Sequence, residues 1–121
     1  MTEEKLKDIL QKHKLWTEGN KEDGKKANLS FIDMCGTNLL GANLRFADLS
    51  HANLSDTDLT GADLRFADLR FADLRRANMC DADLRWDDFR GADLTGAKMH
   101  QKDMDLTPLT KEQRDSIIIC D

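Results

Sequence analysis

The stretch GADLRFADLRFADLRRAN, residues 61 to 78, places Leu64, Leu69 and Leu74 five residues apart. A helix repeats about every 3.6 residues and a straight strand every two, so neither element explains this spacing. A fixed short period is typical of a stacked solenoid. The same slot holds one large apolar residue in sixteen consecutive pentapeptides: Leu29, Met34, Leu39, Leu44, Leu49, Leu54, Leu59, Leu64, Leu69, Leu74, Met79, Leu84, Phe89, Leu94, Met99 and Met104.

Two further features of the repeat indicate how the chain winds. A small residue, usually Ala, stands two positions before the large apolar residue, and residues two apart in an extended segment point to the same side. Because the inward pair recurs after five residues rather than four, the chain must turn a corner once per unit. The hexapeptide LRFADL at 44 to 49 recurs at 64 to 69, and LRWDDF follows at 84 to 89. This lag of twenty residues predicts four units per turn and a square cross-section.

The units ADLRF, ADLRR and ANLSD resemble those of the pentapeptide repeat family, over residues 27 to 106. The resemblance implies an all-β solenoid, a right-handed four-sided β-helix of about four coils. It also implies that the second, fourth and fifth residues of each unit point outward. The expected coils are 27 to 46, 47 to 66, 67 to 86 and 87 to 106. The resemblance indicates packing rather than an activity.

Both ends of the chain are predicted to be helical caps, which a solenoid needs to cover its terminal backbone edges. Residues 1 to 26 hold a helix that ends near Gly19, followed by a polar connector. Residues 107 to 121 hold Thr110 and Gln113, which predict a capping box that opens a short helix. Ile117, Ile118 and Ile119 are expected to cover the last coil or to meet a second subunit. The apolar stripe of the first helix comprises Leu6, Ile9, Leu10, His13 and Trp16, where His13 is expected to pack.

The composition restricts the class of protein. A chain of 121 residues predicts one domain, no apolar run approaches the eighteen residues of a membrane span, and the start MTEEKLKDIL shows no secretory signal. The three cysteines make an odd count, and Cys35 and Cys80 fall on different faces, so a disulfide between these two is not expected. We therefore predict a cytoplasmic protein.

The charge of the repeat region suggests one functional hypothesis. Residues 27 to 106 carry 14 Asp against seven Arg and two Lys, a net charge of −5. Some pentapeptide repeat proteins are thought to mimic DNA and protect gyrase, which makes a DNA-mimicking inhibitor or protector an alternative function here. Four coils give a rod of about 19 Å, along which B-DNA carries about 11 charges. The net charge of −5 falls well short of the charge on DNA of this length, and a basic row of Arg45, Arg65 and Arg85 also argues against mimicry. Asp is a turn-forming residue, and this role explains most of the Asp content.

One pair of residues could indicate an enzyme. Cys80 and His100 are fourth-position residues twenty apart, so they should stack on one outer face about 4.8 Å apart in backbone spacing. A thiol beside an imidazole could form a nucleophile pair or half of a metal site. Their neighbours Thr60 and Leu40 supply no third group, so two ordinary surface residues are the better interpretation. We expect no catalytic residue, metal, cofactor or small-molecule substrate.

Exposed aromatic residues suggest a binding surface. One predicted corner holds Phe46, Phe66 and Trp86, and the next corner holds Phe31, His51 and Phe71. The face between these corners carries Asp48, Asp68 and Asp88 beside Ser50, Arg70 and Arg90. An aromatic-rimmed, Arg-containing surface is typical of a protein interface, although corner aromatics could also simply stack on each other. We therefore predict a non-enzymatic binding or scaffolding protein. Its partner is another protein or a second copy, without direct nucleic-acid or membrane binding. The predicted interaction residues are Phe31, Phe46, His51, Phe66, Arg70, Phe71, Trp86 and Arg90.

The last coil contains two irregular residues. Asp87 and Lys102 stand where Ala is usual, so both should point inward. A buried unpaired charge is costly, so the two are predicted to pair or to reach the C-terminal opening.

Overall fold

The computed structural model describes residues 1 to 120, so the final residue of the cap predicted over 107 to 121 lies outside the described residues. The chain runs from helix α1 (Glu3–Thr17) into a coil, followed by strand β1 (Lys98–Met99), helix α2 (Gln101–Leu106), helix α3 (Lys111–Ser116) and strand β2 (Ile118–Ile119). No helix within residues 1 to 120 is both long and apolar enough to cross a membrane.

The predicted twenty-residue coil is confirmed by the backbone pairing. Parallel bridges join residues twenty apart, as in Asn28, Asp48, Asp68 and Asp88, which pair in series along one side. The amide of Leu49 donates to the carbonyl of Asp68 at 2.8 Å, and the amide of Asp68 donates to the carbonyl of Ala47 at 3.0 Å. Each side bridges at a single residue before the next corner, so regular strand content is low although every side is hydrogen-bonded to the next coil.

The interior is a column of the predicted apolar residues. All sixteen large residues of the repeat are buried, with 7% or less of each exposed, and Ala at the preceding slot is buried in most units. Stability of such a stack comes from contacts between neighbouring coils rather than from one central core. The spacing of five therefore predicted the core of the protein correctly.

The Asp or Asn between Ala and Leu forms a turn in most units. In Asp68, for example, Oδ1 accepts the amide of Arg70 at 3.1 Å, two residues on. The same bond recurs along the repeat, as at Asp33 with Cys35 and at Asn78 with Cys80. This Asx turn explains most of the Asp content by local backbone chemistry, as predicted.

Helix α1 covers the first coil. Thr2 caps its N-terminus by accepting the amide of Lys5 at 3.1 Å. Leu6 and His13 are buried, whereas Ile9 and Leu10 pack partly against the core. The Nδ1 atom of His13 accepts the amide of Ala27 at 2.9 Å, so this side chain satisfies a donor on the open edge of the coil. The predicted packing role of His13 is confirmed.

The C-terminal segment covers the other end through backbone pairing. The predicted capping box is present. The Thr110 side chain accepts a hydrogen bond from the backbone amide of Gln113, and the Gln113 side chain accepts one from the backbone amide of Thr110. The Gln113 side chain also donates to the carbonyls of Phe89 and Ala92 on the last coil. Strand β2 then pairs in parallel with β1. Ile117 packs partly against the core, while Ile118 and Ile119 are about half exposed.

Two features of this end differ from the sequence prediction. Residues 102 to 106, expected to form the last repeat, lie in α2, and Lys102 is exposed there, so its predicted inward position was wrong. A lone ammonium group is costly to bury, and the helix lets Lys102 reach water. Asp87 does point inward, with 7% exposed, but it does not pair with Lys102.

The second difference concerns the cysteines. Cys80 and Cys120 are joined by a disulfide, with Cα atoms 6.2 Å apart, and Cys35 is free and exposed. The bond anchors the segment after β2 to the third coil. Since disulfides persist mainly in oxidising compartments, the pairing removes the cysteine argument for a cytoplasmic location, which stays a prediction.

Candidate protein-interaction face

The six predicted corner residues form two ladders of rings. Phe46, Phe66 and Trp86 stack with centroids 4.8 Å apart at each step and planes within 8° of parallel. On the next corner the His51 ring lies between the Phe31 ring at 4.5 Å and the Phe71 ring at 5.0 Å. The exposed fraction of the five Phe and Trp side chains runs from 38% to 74%. The rings therefore stack on each other and still present much of their surface to solvent.

The backbone at these corners is left-handed. All six ladder residues have φ between 59° and 62°, a region that costs about 1–2 kcal/mol for a residue with a Cβ. Gly91 follows Phe71 at the same corner, and a Cβ there would come within 2.5 Å of the Phe71 ring. The ring of Phe71 therefore lies over Gly91 and ends that ladder.

Between the ladders lies one flat face with paired charges. We call it the aromatic-rimmed face; it is made by residues 27 to 31, 47 to 51, 67 to 71 and 87 to 91. The Arg70 guanidinium lies 2.7 Å from Asp68 Oδ2, and that of Arg90 lies 2.6 Å from Asp88 Oδ2. Hydrogen bonds from these two Arg side chains hold the pKa of Asp68 and of Asp88 below its usual range. The Ser50 hydroxyl donates a hydrogen bond to Asp48 Oδ1 at 2.6 Å.

All eight predicted interaction residues thus lie on or beside one face. One further aromatic joins them: Trp16 of helix α1 packs edge-on against Phe46, with centroids 6.0 Å apart. Sequence reasoning placed Trp16 only in the apolar stripe of the cap. Only the way α1 folds over the first coil brings it to the ladder.

The Cys80 and His100 pair does not form a nucleophile pair. Cys80 is held in the disulfide with Cys120, so it offers no thiol. The His100 Nε2 atom lies 2.8 Å from Asp81 Oδ1 and contacts that carboxylate. The structure gives this pair structural partners in place of the chemistry that the sequence allowed.

The repeats identify the family. Residues 27 to 65 and 62 to 101 match the model of pentapeptide repeats, in eight copies. The chain therefore belongs to the pentapeptide repeat family, whose members form right-handed four-sided β-helices. No similar sequence was found among curated proteins.

Solved structures of the same family also match. HetL, a pentapeptide repeat protein involved in heterocyst differentiation regulation in Nostoc sp. strain PCC 7120, is 39% identical over 63% of this chain, with a TM-score of 0.34. The chain spans only 40% of the length of HetL. The protein alr5209 from Nostoc PCC 7120 is 24% identical over 91% of this chain and 93% of its own, with a TM-score of 0.36. QnrB1, a plasmid-mediated fluoroquinolone resistance protein, is 17% identical over 78% of this chain and 60% of its own, with a TM-score of 0.28. The family assignment rests on the repeat match.

Proposed function

We propose that this protein is a non-enzymatic scaffold that binds a protein partner through the aromatic-rimmed face. The observation that carries this proposal is the pair of exposed ring ladders on either side of a single rigid face. Trp, Tyr and Arg dominate the binding energy of protein interfaces, and this face carries Trp86, Arg70 and Arg90 together. The Arg90 side chain is 75% exposed, so a partner can reach it beside the rings.

Local energetics do not by themselves favour aromatic residues at these corners. The left-handed backbone costs about 1–2 kcal/mol at each ring-bearing corner, and each stacked pair returns about 0.5–1.5 kcal/mol. The two contributions nearly cancel, and Gly occupies the same slot at Gly36, Gly41 and Gly61 elsewhere on the coil. A contribution to partner binding, in addition to stability, would explain why aromatic rings occupy the two corners that border one face.

The charges of this face indicate the chemistry of the partner. Asp48, Asp68 and Asp88 alternate with Ser50, Arg70 and Arg90, so the face is close to neutral and rich in fixed hydrogen-bonding groups. A partner with apolar side chains at the ladders and polar groups opposite the Asp and Arg rows would match it. Such a rim and centre are typical of protein interfaces.

DNA mimicry is the second hypothesis, and the ion pairs weigh against it. The basic row predicted above is matched by acid: Arg65 lies 2.7 Å from Asp63, and Arg85 lies 2.7 Å from Asp83. Neutralised carboxylates make a poor copy of a phosphate backbone, whose charges are regular and unpaired. A gyrase supercoiling assay with and without this protein separates the two hypotheses.

The test removes rings without disturbing the coil. Phe66→Gly with Phe71→Gly deletes one ring from each ladder, and Gly accepts the left-handed backbone at both positions. The matched control is Asp56→Gly with Arg76→Gly, two left-handed corner residues that pair with each other away from this face.

The readouts are light scattering for self-association and comparative pull-down from the source cells for other partners. We expect the Phe variant to lose the partners that the control variant keeps, with circular dichroism unchanged in both. If the Phe variant keeps its mass in solution and every partner of the parent protein, the ladders serve only to stack at the corners.

A further inference from the structure

A cavity of about 470 Å³ lies where helix α2 replaces the next layer of the coil. It is on the side that carries Leu84, around the corner from the aromatic-rimmed face. Its volume is within the range of about 300–1,000 Å³ that small-molecule sites occupy. The residues that matter for its chemistry are Leu84, Trp86, Asp87, Asp103, Leu106 and Pro108.

Asp87 brings an unsatisfied carboxyl oxygen to this cavity. It stands in the slot that Ala fills elsewhere, only 7% of the residue is exposed, and Oδ1 accepts the amide of Ala67 at 3.1 Å. Oδ2 is buried and has no hydrogen-bond partner. Leaving such an oxygen unpaired is costly, and folding does not require it, because Ala would fill the slot.

Asp103 brings a second one. At this position of the repeat a carboxylate normally bonds the amide two residues on, but Asp103 lies in α2 and so leaves the turn pattern. Its Oδ2 atom is also buried without a partner. Two unrelated departures from the repeat therefore bring two carboxyl groups, each with one unsatisfied oxygen, to the wall of one cavity.

Within the described residues, no basic group bonds the Oδ2 atom of Asp87 or of Asp103. Burial raises the pKa of Asp103, and the charges of Lys102 and His100 oppose this from a distance. The Arg85 side chain makes two hydrogen bonds to Asp83, at 2.9 and 2.7 Å, and its guanidinium lies over the Trp86 ring. Lys102, predicted to neutralise Asp87, is exposed on α2. The carboxylates of Asp63 and Asp83 act on Asp87 and add to the negative field there.

The other walls are apolar. Phe66 covers one face of the Trp86 ring, and the ring also borders the cavity. Leu106 is 79% exposed although it is a large apolar side chain at the cavity wall. A ligand body placed here would cover apolar surfaces that now face water.

We propose that this cavity, the Asp87 cavity, binds a small organic cation whose ammonium group pairs with the carboxyl groups of Asp87 and Asp103 and whose apolar body packs on Trp86 and Leu106. This site shares Trp86 with the aromatic-rimmed face, but it does not depend on that face binding a partner.

The experiment uses the chain with the substitution Trp16→Phe. The sequence has two Trp residues, so Trp86 is then the single Trp that fluoresces. Trp86 fluorescence is titrated with phenethylammonium, and with 2-phenylethanol and phenylacetate as neutral and anionic probes of the same size. We expect saturable binding of phenethylammonium with a Kd of about 1 mM or tighter, at least about tenfold tighter than the alcohol, and none of the anion.

Three variants locate the site. Asp87→Asn and Asp103→Asn should each weaken phenethylammonium binding by about tenfold or more, because an amide cannot ionise to pair with the ammonium group. Asp105→Asn is the matched control on the same helix, where the side chain is exposed and bonds Gln101, and it should bind as the parent does.

Equal binding of the three probes would overturn the proposal, and so would the absence of saturable binding to the folded parent. Comparison of the probes uses only the parent background, so it decides the matter even if Asp87→Asn fails to fold. If Asp105→Asn weakens phenethylammonium binding as strongly as Asp87→Asn does, the effect is a general one of charge, and this result would also overturn the proposal.

Discussion

The amide of Ala27 donates to Nδ1 of His13 at 2.9 Å, so one cap side chain satisfies the first open donor of the coil. Burial lowers the pKa of His13 from its ordinary value, because the charged ring loses its hydration, and the nearby charge of Lys26 acts in the same direction. Only a ring with an unprotonated Nδ1 can accept the bond from Ala27. A cap that covers an edge with a titratable group makes the stability of that end depend on pH.

His13→Ala tests this dependence. The variant should lower the free energy of unfolding by about 1–3 kcal/mol at pH 7.5, because the Ala27 amide loses its partner. The parent should lose this stabilisation as the pH falls below about 6.5, where the unfolded chain takes up the proton more readily than the folded one. Chemical denaturation of both proteins at several pH values measures the difference. A difference in unfolding free energy between parent and variant that stays constant from pH 7.5 to 5 would contradict the role of His13.

Deleting residues 1 to 16 removes the cap altogether. The edge of the first coil and the Leu29 layer should then be exposed, so we expect aggregation or end-to-end stacking of the coils. Size-exclusion chromatography and thermal melting compare the truncated chain with the parent. Unchanged solubility and melting temperature would show that α1 is not a structural cap.

Substitutions at the inward and outward positions of one unit should differ in how much stability they cost. Leu64 is fully buried, and Leu64→Ala should cost about 2–5 kcal/mol of unfolding free energy. Phe66→Gly, two residues on, loses two stacked neighbours but relieves a left-handed backbone, so it should change stability by less than about 1 kcal/mol. Urea denaturation measures both. A larger loss for Phe66→Gly than for Leu64→Ala would show that the ladder, rather than the column of Leu, holds the coil.

The disulfide predicts a redox-dependent C-terminal cap. Cys80 and Cys120 are 40 residues apart in sequence, and closing a loop of this length is worth about 2–4 kcal/mol. Cys120→Ser should lower the melting temperature, and reductant should lower that of the parent but not that of the variant.

Cys35→Ser is the control for the disulfide, because Cys35 is free, and it should leave the effect of reductant intact. Thiol titration of the denatured, unreduced parent should find one reactive cysteine. Three reactive thiols and a melting temperature independent of reductant would show the bond to be absent.

The sequence predicted the coil well because its information is local and repeated. The slot of Leu64 recurs every five residues, and the lag from Phe46 to Phe66 gave the turn of the coil directly. The capping box of Thr110 and Gln113 is likewise readable within four residues. The stacking of the ladder rings followed from the same twenty-residue lag.

What the sequence missed depends on where the chain leaves the repeat. Lys102 and Asp103 were assigned by the alternation of an extended segment, but successive residues of α2 are rotated by about 100°. Cys120 lies close to Cys80 only because β2 pairs with β1. No local sequence pattern predicts this pairing. The cavity between α2 and the coil arises from the same departure, so its two carboxyl groups could not be grouped from spacing.

Asp87 carries the last prediction, because it is an acid in a slot made for Ala. Burial, opposed by the bond from the Ala67 amide, raises the pKa of Asp87 to about 9 from an ordinary value of 3.8. Between these values the folded protein holds a proton that the unfolded chain releases, so stability should fall as the pH rises, by at most about 1.4 kcal/mol per pH unit. Asp87→Ala removes this slope and should be more stable than the parent at pH 8, with an advantage that shrinks toward pH 5.

The matched control for this variant is Asp88→Ala on the same coil. The Arg90 guanidinium lowers the pKa of Asp88, so that residue is ionised in both states from pH 5 to 8, and its effect on stability should stay constant there. Taking the difference between each variant and the parent removes the titration of all other groups. Chemical denaturation at four pH values measures it. A difference for Asp87→Ala as flat as that for Asp88→Ala would show that Asp87 is ionised and solvated in the folded protein, and therefore that its carboxyl group is not buried in the cavity wall.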